Sequence, residues 1–249
     1  MSGHSKWHTI KHKKGAADAK RGKVFTRLIK ELTVAARAAG GDPDMNPRLR
    51  TIIADAKAAN MPAENIKRAI KRGTGEEAGM IFDEVTYEAY GPGGVAILVE
   101  TLTDNRNRTV GEVRHTLTKF GGSLGEVNSV GWMFSKKGLI LVDKDKAEEE
   151  ALMSAVLDAG ADDMKDDGSA WEIISTPELY PAVLEAVKQL NIEPSSAQIA
   201  MLPANYIKLE GRQAQQMLKL MDALEDNDDT RNVWSNFDVE EKEIEASLA

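Results

Sequence analysis

The chain has 249 residues, of which 42% are hydrophobic and 29% charged, and it contains no cysteine. This composition is typical of a globular protein, and the length predicts more than one domain. The absence of cysteine excludes disulfides, thiolate metal sites and cysteine nucleophiles. There is no apolar run of about 18 residues for a membrane span and no apolar stretch after the basic N-terminus for a secretory signal, so we expect a cytoplasmic protein.

The net charge of −8 conceals a division of charge along the chain. Residues 1–72 carry 17 Lys and Arg against six Asp and Glu, whereas residues 73–249 carry 15 against 34. A cationic segment attached to an acidic body indicates a polyanionic partner, and nucleic acid is the leading candidate. The first third of the chain is therefore the predicted binding region.

Residues 1–22 show no hydrophobic period and predict a mobile arm. His4, His8 and His12 are four residues apart, but the Glu of the usual metal-binding helix motif is missing and nearby lysines oppose a dication, so we expect no metal. The alternatives are a solubilising tail and a nucleic-acid contact, and Trp7 favours the latter because an indole stacks on exposed bases. The predicted contacts in the arm are Lys6, Trp7, Lys11, His12, Lys13, Lys14, Lys20 and Arg21.

The next segment predicts three helices. Helical periodicity begins at Lys23 and stops at Gly40-Gly41, the second helix begins with Asn46 as its cap and Pro47 in its first turn, and the third begins near Pro62 and ends before Gly73. The residues predicted to face the core are Phe25, Leu28, Ile29, Leu32, Ala35, Ala36, Leu49, Ile52, Ile53, Ala56, Ile66, Ala69 and Ile70.

Cations occupy the opposite faces of these helices. A solvated helix face is the ordinary explanation, but the first helix from Lys23 onward contains a single acidic residue, Glu31, so pairing within the helix does not account for the charge. Arg48 and Arg50 lie near a helix N-terminus, where a phosphate or a nearby Asp44 would relieve them. The predicted nucleic-acid contacts on the helices are Lys23, Arg27, Lys30, Arg48, Arg50, Lys67, Arg68, Lys71 and Arg72. Arg106 and Arg108 lie near the N-terminus of a later predicted helix, where either a phosphate or the nearby Asp104 would relieve them. The acidic sequence around them favours compensation by Asp104.

After a Gly-rich linker the period changes from helical to alternating, which predicts strands on either side of Gly91-Pro92-Gly93-Gly94 and then a helix over 105–120. Residues 137–203 follow the order strand, helix, two strands, helix, strand, which is that of a ferredoxin-like unit. A helix over 212–225 and a strand near Val233–Phe237 would complete the sheet begun at residue 82, which makes that unit an insertion. The predicted domains are 1–78, 79–135 together with 204–249, and 136–203.

Motifs of enzymes are missing from the sequence: it has no phosphate-binding loop, no nucleophile elbow, no calcium loop and no pair of carboxylates singled out for acid and base roles. We therefore expect no catalysis, no cofactor and no metal. The acidic two thirds of the chain predict contacts with other proteins, or a fold that turns back on the basic region and screens it. The arm lacks the broad apolar face of a membrane-surface helix.

Several long blocks resemble the YebC/PmpR family, whose mitochondrial relatives act as translational activators: MSGHSKW, IKHKKGAADAKRGKVFTRLIKELTVAAR, GGDPDMNPRLR, AANMPAENIKRAIKRGTGE, YEAYGPGGVAILVETLTDNRNRTVGEVRH and FSKKG. The resemblance runs from the first residue to about residue 140 and continues more loosely to the end. It implies an α+β protein in which an N-terminal three-helix domain precedes two α/β sandwich-like domains, the last of them ferredoxin-like and inserted into the middle one. It implies no catalytic residues.

The resemblance leaves two mechanisms open, because the family is described both as DNA-binding transcriptional regulators and as ribosome-associated factors that help translation through stalling sequences such as proline runs. For DNA, the second and third helices resemble a helix-turn-helix with Asn65, Lys67, Arg68 and Arg72 near the groove. No coiled-coil seam is visible, so we expect a monomer, in which one module gives little specificity. For ribosomal RNA, the arm and the first helix would lie on a folded surface recognised by shape and phosphate.

Overall fold

Three helices form the N-terminal unit of the structure, a computed structural model that describes residue 7, residues 17–168 and residues 170–248. They are α1 (Ala17–Ala39), α2 (Pro47–Ala58) and α3 (Ala63–Thr74). The apolar stripe of each helix packs into one shared cluster, as the periodicity predicted. Its fully or largely buried members are Leu28, Leu32, Ala35, Ala36, Leu49, Ile52, Ala56, Met61, Ile66 and Ala69.

Asn46 fixes both the start of α2 and the end of α1. Its Oδ1 accepts a hydrogen bond from the backbone N–H of Leu49 at 3.0 Å, which is the predicted N-cap. Its Nδ2 donates to the carbonyl oxygens of Ala35 and Gly40, both at 2.9 Å. Because the side chain is almost fully buried, these bonds are shielded from water, and the cap also satisfies orphan carbonyls of the preceding helix.

Two predicted helix boundaries are wrong. The first helix begins at Ala17 rather than Lys23, because residues 17–22 contain good helix formers although they lack an apolar period. Gly73 lies inside α3 rather than beyond it, and the helix ends at Thr74 with Gly75 in the left-handed conformation, φ 85°. A Cβ atom on Gly73 would lie 2.4 Å from the carbonyl oxygen of Thr33, so this glycine permits a close approach of α1 and α3 rather than a stop.

The rest of the chain alternates between strands and helices. In chain order the elements are β1 (Asp83–Tyr90), β2 (Ala96–Thr103), α4 (Arg106–Lys119), β3 (Ser123–Leu124), β4 (Phe134–Asp143), α5 (Glu149–Asp158), β5 (Asp163–Asp166), β6 (Ala170–Ser175), α6 (Tyr180–Gln189), β7 (Ser196–Pro203), β8 (Ile207–Lys208), α7 (Gly211–Glu225), β9 (Thr230–Ser235), β10 (Phe237–Asp238) and α8 (Glu241–Leu248).

One antiparallel sheet has the strand order β3-β1-β2-β9. Strand β9, which comes from the end of the chain, pairs with β2 from Ile97 opposite Ser235 to Thr101 opposite Thr230. The last part of the chain therefore completes the sheet that β1 begins. Helices α4 and α7 pack on this sheet and contribute Val113, Leu117, Met217 and Leu218, all fully buried, to its core.

The second sheet has the order β5-β6-β4-β7, also antiparallel, which is the strand order of a ferredoxin-like unit. Its chain segment lies between β3 and β9 of the first sheet, so the unit is inserted. The predicted α+β fold class is confirmed. The residue boundaries of the three domains remain predictions.

The two sheets pack against each other, which explains the unbroken apolar runs in β2 and β4. Along β2, Ile97 and Val99 belong to the helix-covered core, whereas Ala96 and Leu98 belong to a cluster between the sheets. Strand β4 divides its residues in the same way between α5 and α6 on one side and the first sheet on the other. Both faces of β2, and of β4 from Gly138 to Val142, are buried, so these runs do not show the alternation of a half-exposed strand.

Candidate nucleic-acid interface

Among the described residues, helix α3 presents the largest group of exposed cations. Lys67, Arg68, Lys71 and Arg72 are all exposed and lie opposite the buried Ile66 and Ala69. Within the described part of the chain, none of the four forms an ion pair. All four lie beyond the first turn of the helix, and Lys71 and Arg72, in the last turn, also stabilise the helix dipole. We refer to these four residues as the α3 cations.

Two further arginines belong to the same unit. Arg50 of α2 is exposed and forms no ion pair with any residue that the structure describes. Arg37, in the last turn of α1, is exposed as well, and its backbone nitrogen lies 3.2 Å from a Cβ built on Gly73 of α3. Arg37 therefore lies where α1 and α3 approach each other closely. Only the close approach of the two helices reveals this position.

Two of the predicted cations on α1, Lys23 and Lys30, contact the acidic body. The Nζ atom of Lys30 lies 2.8 Å from Oδ1 of Asp229, 2.9 Å from the carbonyl oxygen of Asp228 and 3.2 Å from that of Leu102. Lys23 donates to both the carboxylate and the carbonyl oxygen of Asp226 at 3.0 Å. These two lysines therefore hold α1 against residues 226–229, as expected if the body turns back on the basic region.

Asp229 is the centre of this contact. Its carboxylate also accepts hydrogen bonds from the Arg108 guanidinium and from the hydroxyl of Thr109, the latter at 2.7 Å. Burial raises the pKa of Asp229, but the hydrogen bonds from Lys30, Arg108 and Thr109, with the charge of Lys30, outweigh burial and bring the pKa down to about 2. The side chain is 4% exposed, so these bonds are largely shielded from solvent and salt.

Three other arginines, for which the sequence left a contact with phosphate open, form ion pairs within the protein. Arg48 makes a two-pronged contact with the carboxylate of Glu84 on β1, and the hydrogen bond from Arg48 is the main reason why the pKa of Glu84 is lowered. Arg106 donates to Asp83 at 2.9 Å, and Arg108 donates to Asp104 at 2.8 Å. Compensation by a carboxylate, one of the two alternatives, therefore applies to these three arginines, but only Arg108 pairs with the predicted Asp104. Glu84 rather than Asp44 pairs with Arg48, and Asp83 pairs with Arg106.

Arg27 is intermediate between the two groups. Its Nε lies 3.7 Å from Oε1 of Glu31, and its side chain remains 46% exposed. Oε1 of Glu31 also lies 3.4 Å from Nε of Arg231 on β9. Glu31 therefore belongs to the contact between the helical unit and the first sheet. An exposed pair at this distance contributes little stability, and Arg27 stays accessible to a phosphate.

Trp7 contradicts the prediction of an exposed stacking residue. The indole is 1% exposed, belongs to the core between the first sheet and α7, and donates from Nε1 to Oε1 of Glu225 at 3.2 Å. A ring in this position has no free face for a base. The prediction for Trp7 is therefore wrong, because the sequence shows an aromatic residue in a polar segment but not the core that receives it.

The other residues of the predicted arm are not tested by the structure. Lys6, Lys11, His12, Lys13 and Lys14 lie outside the described residues, as do His4 and His8. Lys20 and Arg21 fall in the first turns of α1, and their side chains lie outside what is described. Among the described residues, His, Asp and Glu side chains form no group of three or more arranged to hold a metal ion. No described helix is both long and apolar enough to cross a membrane.

Fold and surface together define an α+β protein in which a basic three-helix unit is bound to an acidic body of two packed sheets. Comparison with known families identifies it. A family model described as "TACO1/YebC protein N-terminal domain" matches residues 5–76. A second family model, described as "TACO1/YebC second and third domain", matches residues 82–237. The chain belongs to the TACO1/YebC family, as its resemblance to YebC/PmpR proteins predicted.

Relatives match the chain over nearly its whole length. A protein of Acidobacterium capsulatum is 63% identical over 243 residues, 98% of each chain, and one of Geobacter sulfurreducens is 58% identical, covering 98% of this chain and 99% of its own. Both are named probable transcriptional regulatory proteins. The crystal structure of a conserved hypothetical protein from Aquifex aeolicus is similar with a TM-score of 0.80 and 45% identity, covering 90% of this chain and 92% of that one.

Proposed function

We propose that this protein is a nucleic-acid-binding regulator of gene expression that holds its target with the α3 cations, and that it acts in the cytoplasm as a monomer without catalysis or cofactor. The observation that carries the proposal is the division of the basic residues. Lys23, Lys30 and Arg48 are occupied by the body, whereas the four α3 cations and Arg50 are exposed without ion pairs in the described part of the chain. Unpaired cations on one surface match the spaced negative charges of a phosphodiester backbone.

Duplex DNA is the target that the relatives' names support, since these are named transcriptional regulators. In that case α2 and α3 act as a helix-turn-helix, and the acidic body remains available for contacts with other proteins. The α3 cations would then bind the DNA backbone, because they begin at Lys67, after the first turn of the helix, and base contacts are usual in the first turn.

A second candidate is ribosomal RNA, in a protein that relieves stalled translation. The observation that favours it is the first turn of α3, which carries an exposed Glu64 and no cation. A recognition helix that enters a DNA groove with a carboxylate at its leading end meets repulsion from the phosphates on both sides. Folded RNA is recognised mainly by shape and phosphate, which needs no base-reading first turn.

Charge reversal on α3 tests the binding surface. We expect Lys67→Glu combined with Lys71→Glu to weaken binding about 10- to 100-fold at 0.15 M salt and to reduce the slope of log affinity against log salt by about 2 for duplex DNA, because two phosphate contacts are lost. The measurement is fluorescence anisotropy with a labelled DNA duplex and with a folded fragment of ribosomal RNA, each over a range of salt concentrations.

A matched control separates this surface from net charge. Lys188 in the last turn of α6 and Lys219 in α7 are exposed on the acidic body, and reversing both changes the net charge by the same amount. If this control weakens binding as much as the α3 variant, or if neither variant weakens it, the α3 cations are not the binding surface. The polymer that binds more tightly at physiological salt, and loses more affinity in the α3 variant, is the better candidate for the target.

A further inference from the structure

The loop between β3 and β4, residues 125–133, displays large apolar side chains to solvent. Trp132 is 77% exposed and Val127 is 86% exposed, whereas the other tryptophans, Trp7, Trp171 and Trp234, are at most 8% exposed. An apolar ring of this size on the surface is unusual and is typical of a binding residue. The loop lies on the acidic body and belongs to none of the surfaces described above.

The backbone of the loop is held in one conformation by Glu88 of β1. The Glu88 carboxylate accepts hydrogen bonds from the backbone N–H groups of Asn128 at 2.7 Å, Val130 at 2.6 Å and Gly131 at 2.7 Å. Asn128 adopts the left-handed conformation with φ 65°, and a Cβ on Gly131 would lie 3.2 Å from the carboxylate, so both residue types suit this turn. Burial raises the pKa of Glu88, but the backbone hydrogen bonds outweigh burial and lower it, so the carboxylate is ionised at neutral pH.

Trp132 is oriented by the same loop. Its Nε1 donates to the carbonyl oxygen of Ser129 at 3.2 Å, and the hydroxyl of Tyr90 donates to that same oxygen at 3.3 Å. The one polar atom of the indole is thus satisfied inside the protein. What remains for a partner is the flat π surface, held in place before anything binds, so little ordering entropy is lost on contact.

The composition of the surroundings favours a nucleobase over a protein as the partner. A hot spot between proteins lies inside a continuous patch of neighbours that exclude water, whereas the exposed apolar side chains around Trp132, Val127 and Tyr90, are interspersed with the exposed polar residues Asn128 and Ser135. Lys136 is exposed four residues further on, at the start of β4, and forms no ion pair with any described residue. An exposed ring followed in the chain by an exposed cation is the combination that an unpaired base with its phosphate requires.

We propose that Trp132 is a stacking site for an unpaired base of a single-stranded stretch of nucleic acid, with Lys136 contacting an adjacent phosphate. The site is separate from the α3 cations and adds a second contact to the same polymer. It rests on the proposed function only in requiring that nucleic acid is the partner. Stacking is tolerant of sequence, because every base has a π face, so the site selects unpaired bases rather than a motif.

The fluorescence of the intact protein reports this site directly, because Trp132 is the one tryptophan that a small quencher reaches in the described structure. We expect saturating octaadenylate to protect this emission from acrylamide, and an abasic oligomer with the same number of phosphates to leave it accessible. Millimolar adenosine monophosphate should protect it as well. If Trp132 stays accessible in saturating octaadenylate, the proposal is overturned.

Variants separate this site from the α3 surface. Trp132→Ala should weaken octaadenylate binding about 5- to 100-fold, as expected for one lost stacked base, and Trp132→Phe should weaken it less. An equal effect of Trp132→Ala on the abasic oligomer would contradict stacking. The α3 variant Lys67→Glu/Lys71→Glu should weaken the oligomers but leave the protection by adenosine monophosphate unchanged. If the α3 cations prove not to bind nucleic acid, the protection of Trp132 by adenosine monophosphate therefore still tests the stacking site.

Discussion

Asp229 joins three parts of the chain that are far apart in sequence. Its carboxylate bonds to Lys30 of α1 and to Arg108 and Thr109 of α4, and its carbonyl oxygen accepts from the backbone N–H of Leu102. With every bond in place a buried carboxylate is tolerated, whereas the removal of one partner leaves a buried charge without compensation. The ionised carboxylate of Asp229 is therefore one of the groups that hold the helical unit against the body.

The lowered pKa of Asp229 predicts a specific loss of stability in acid. Because its folded pKa is about 2 and its ordinary value 3.8, the group contributes about 2 kcal/mol above pH 4, and this contribution disappears as the pH falls from 4 toward 2. Asp229→Asn should reduce the free energy of unfolding by about 2–4 kcal/mol at pH 6 and flatten its decline below pH 4. Urea unfolding across this range measures both effects.

Asp228→Asn is the matched control for this prediction. The Asp228 side chain is exposed, and only its carbonyl oxygen takes part in the contact with Lys30. We expect its unfolding free energy to follow that of the unmodified protein at every pH. A decline between pH 4 and pH 2 that is equally steep in Asp229→Asn and in the unmodified protein would show that another carboxylate is responsible.

The local role of some residues could be predicted from sequence, whereas their distant partners could not. Asn46 followed by Pro47 predicts a helix N-cap from the local sequence alone, and the structure confirms the cap. Lys30 was correctly assigned to the polar face of α1, but periodicity says nothing about what lies opposite that face. Its partners are about 200 residues away in the chain, and a single sequence does not show such a pairing.

At the scale of elements, the contact between α1 and α3 depends on the absence of a side chain at Gly73. Alanine is a better helix former than glycine by about 1 kcal/mol, so propensity alone predicts that Gly73→Ala is stabilising. We expect the opposite, a loss of about 1–3 kcal/mol, because the new Cβ would lie 2.4 Å from the Thr33 carbonyl oxygen and 2.7 Å from Cβ of Ala36. Chemical denaturation gives the sign directly.

Gly111 in α4 supplies the comparison, since a Cβ there meets no atom within 4 Å. Gly111→Ala should therefore stabilise the protein by about 0.5–1 kcal/mol. Opposite signs for the two substitutions would establish that helix packing, not helix propensity, decides the outcome at Gly73. Stabilisation by both would mean that α1 and α3 separate easily and that their contact does not limit stability.

The sequence predicts the order of the elements in each unit, but not the contact between the two sheets. The order of strands and helices over 137–203 was sufficient to predict a ferredoxin-like unit, because local patterns define each element and few topologies fit that order. The apolar runs of β2 and β4 predicted strands, but not that the two sheets share a core along Leu98 and Leu139. That contact is a property of two units together, so neither segment shows it alone.

At the scale of the whole molecule, the opposite charges of the two parts make contact rather than remaining apart. Residues 226–229 and Glu84 neutralise one side of the helical unit, and the α3 cations are left for a partner. Trp7 adds a second attachment, because it fills part of the core between the first sheet and α7. Removal of residues 1–72 would therefore damage the body as well as the binding surface, so charge reversal is the cleaner test of binding.

A pair of identical substitutions tests this attachment. Trp7→Ala should reduce the free energy of unfolding by about 3–5 kcal/mol, because a ring that is 1% exposed leaves a large cavity and its hydrogen bond to Glu225 is lost. Trp132→Ala removes the same side chain from a site that is 77% exposed and should change stability by less than about 0.5 kcal/mol. Urea unfolding compares the two, and hydrogen exchange should show the loss of protection in α7 and β2 for Trp7→Ala alone. If both variants are equally stable, residue 7 does not contribute to the body, and the basic unit is held only by its ion pairs.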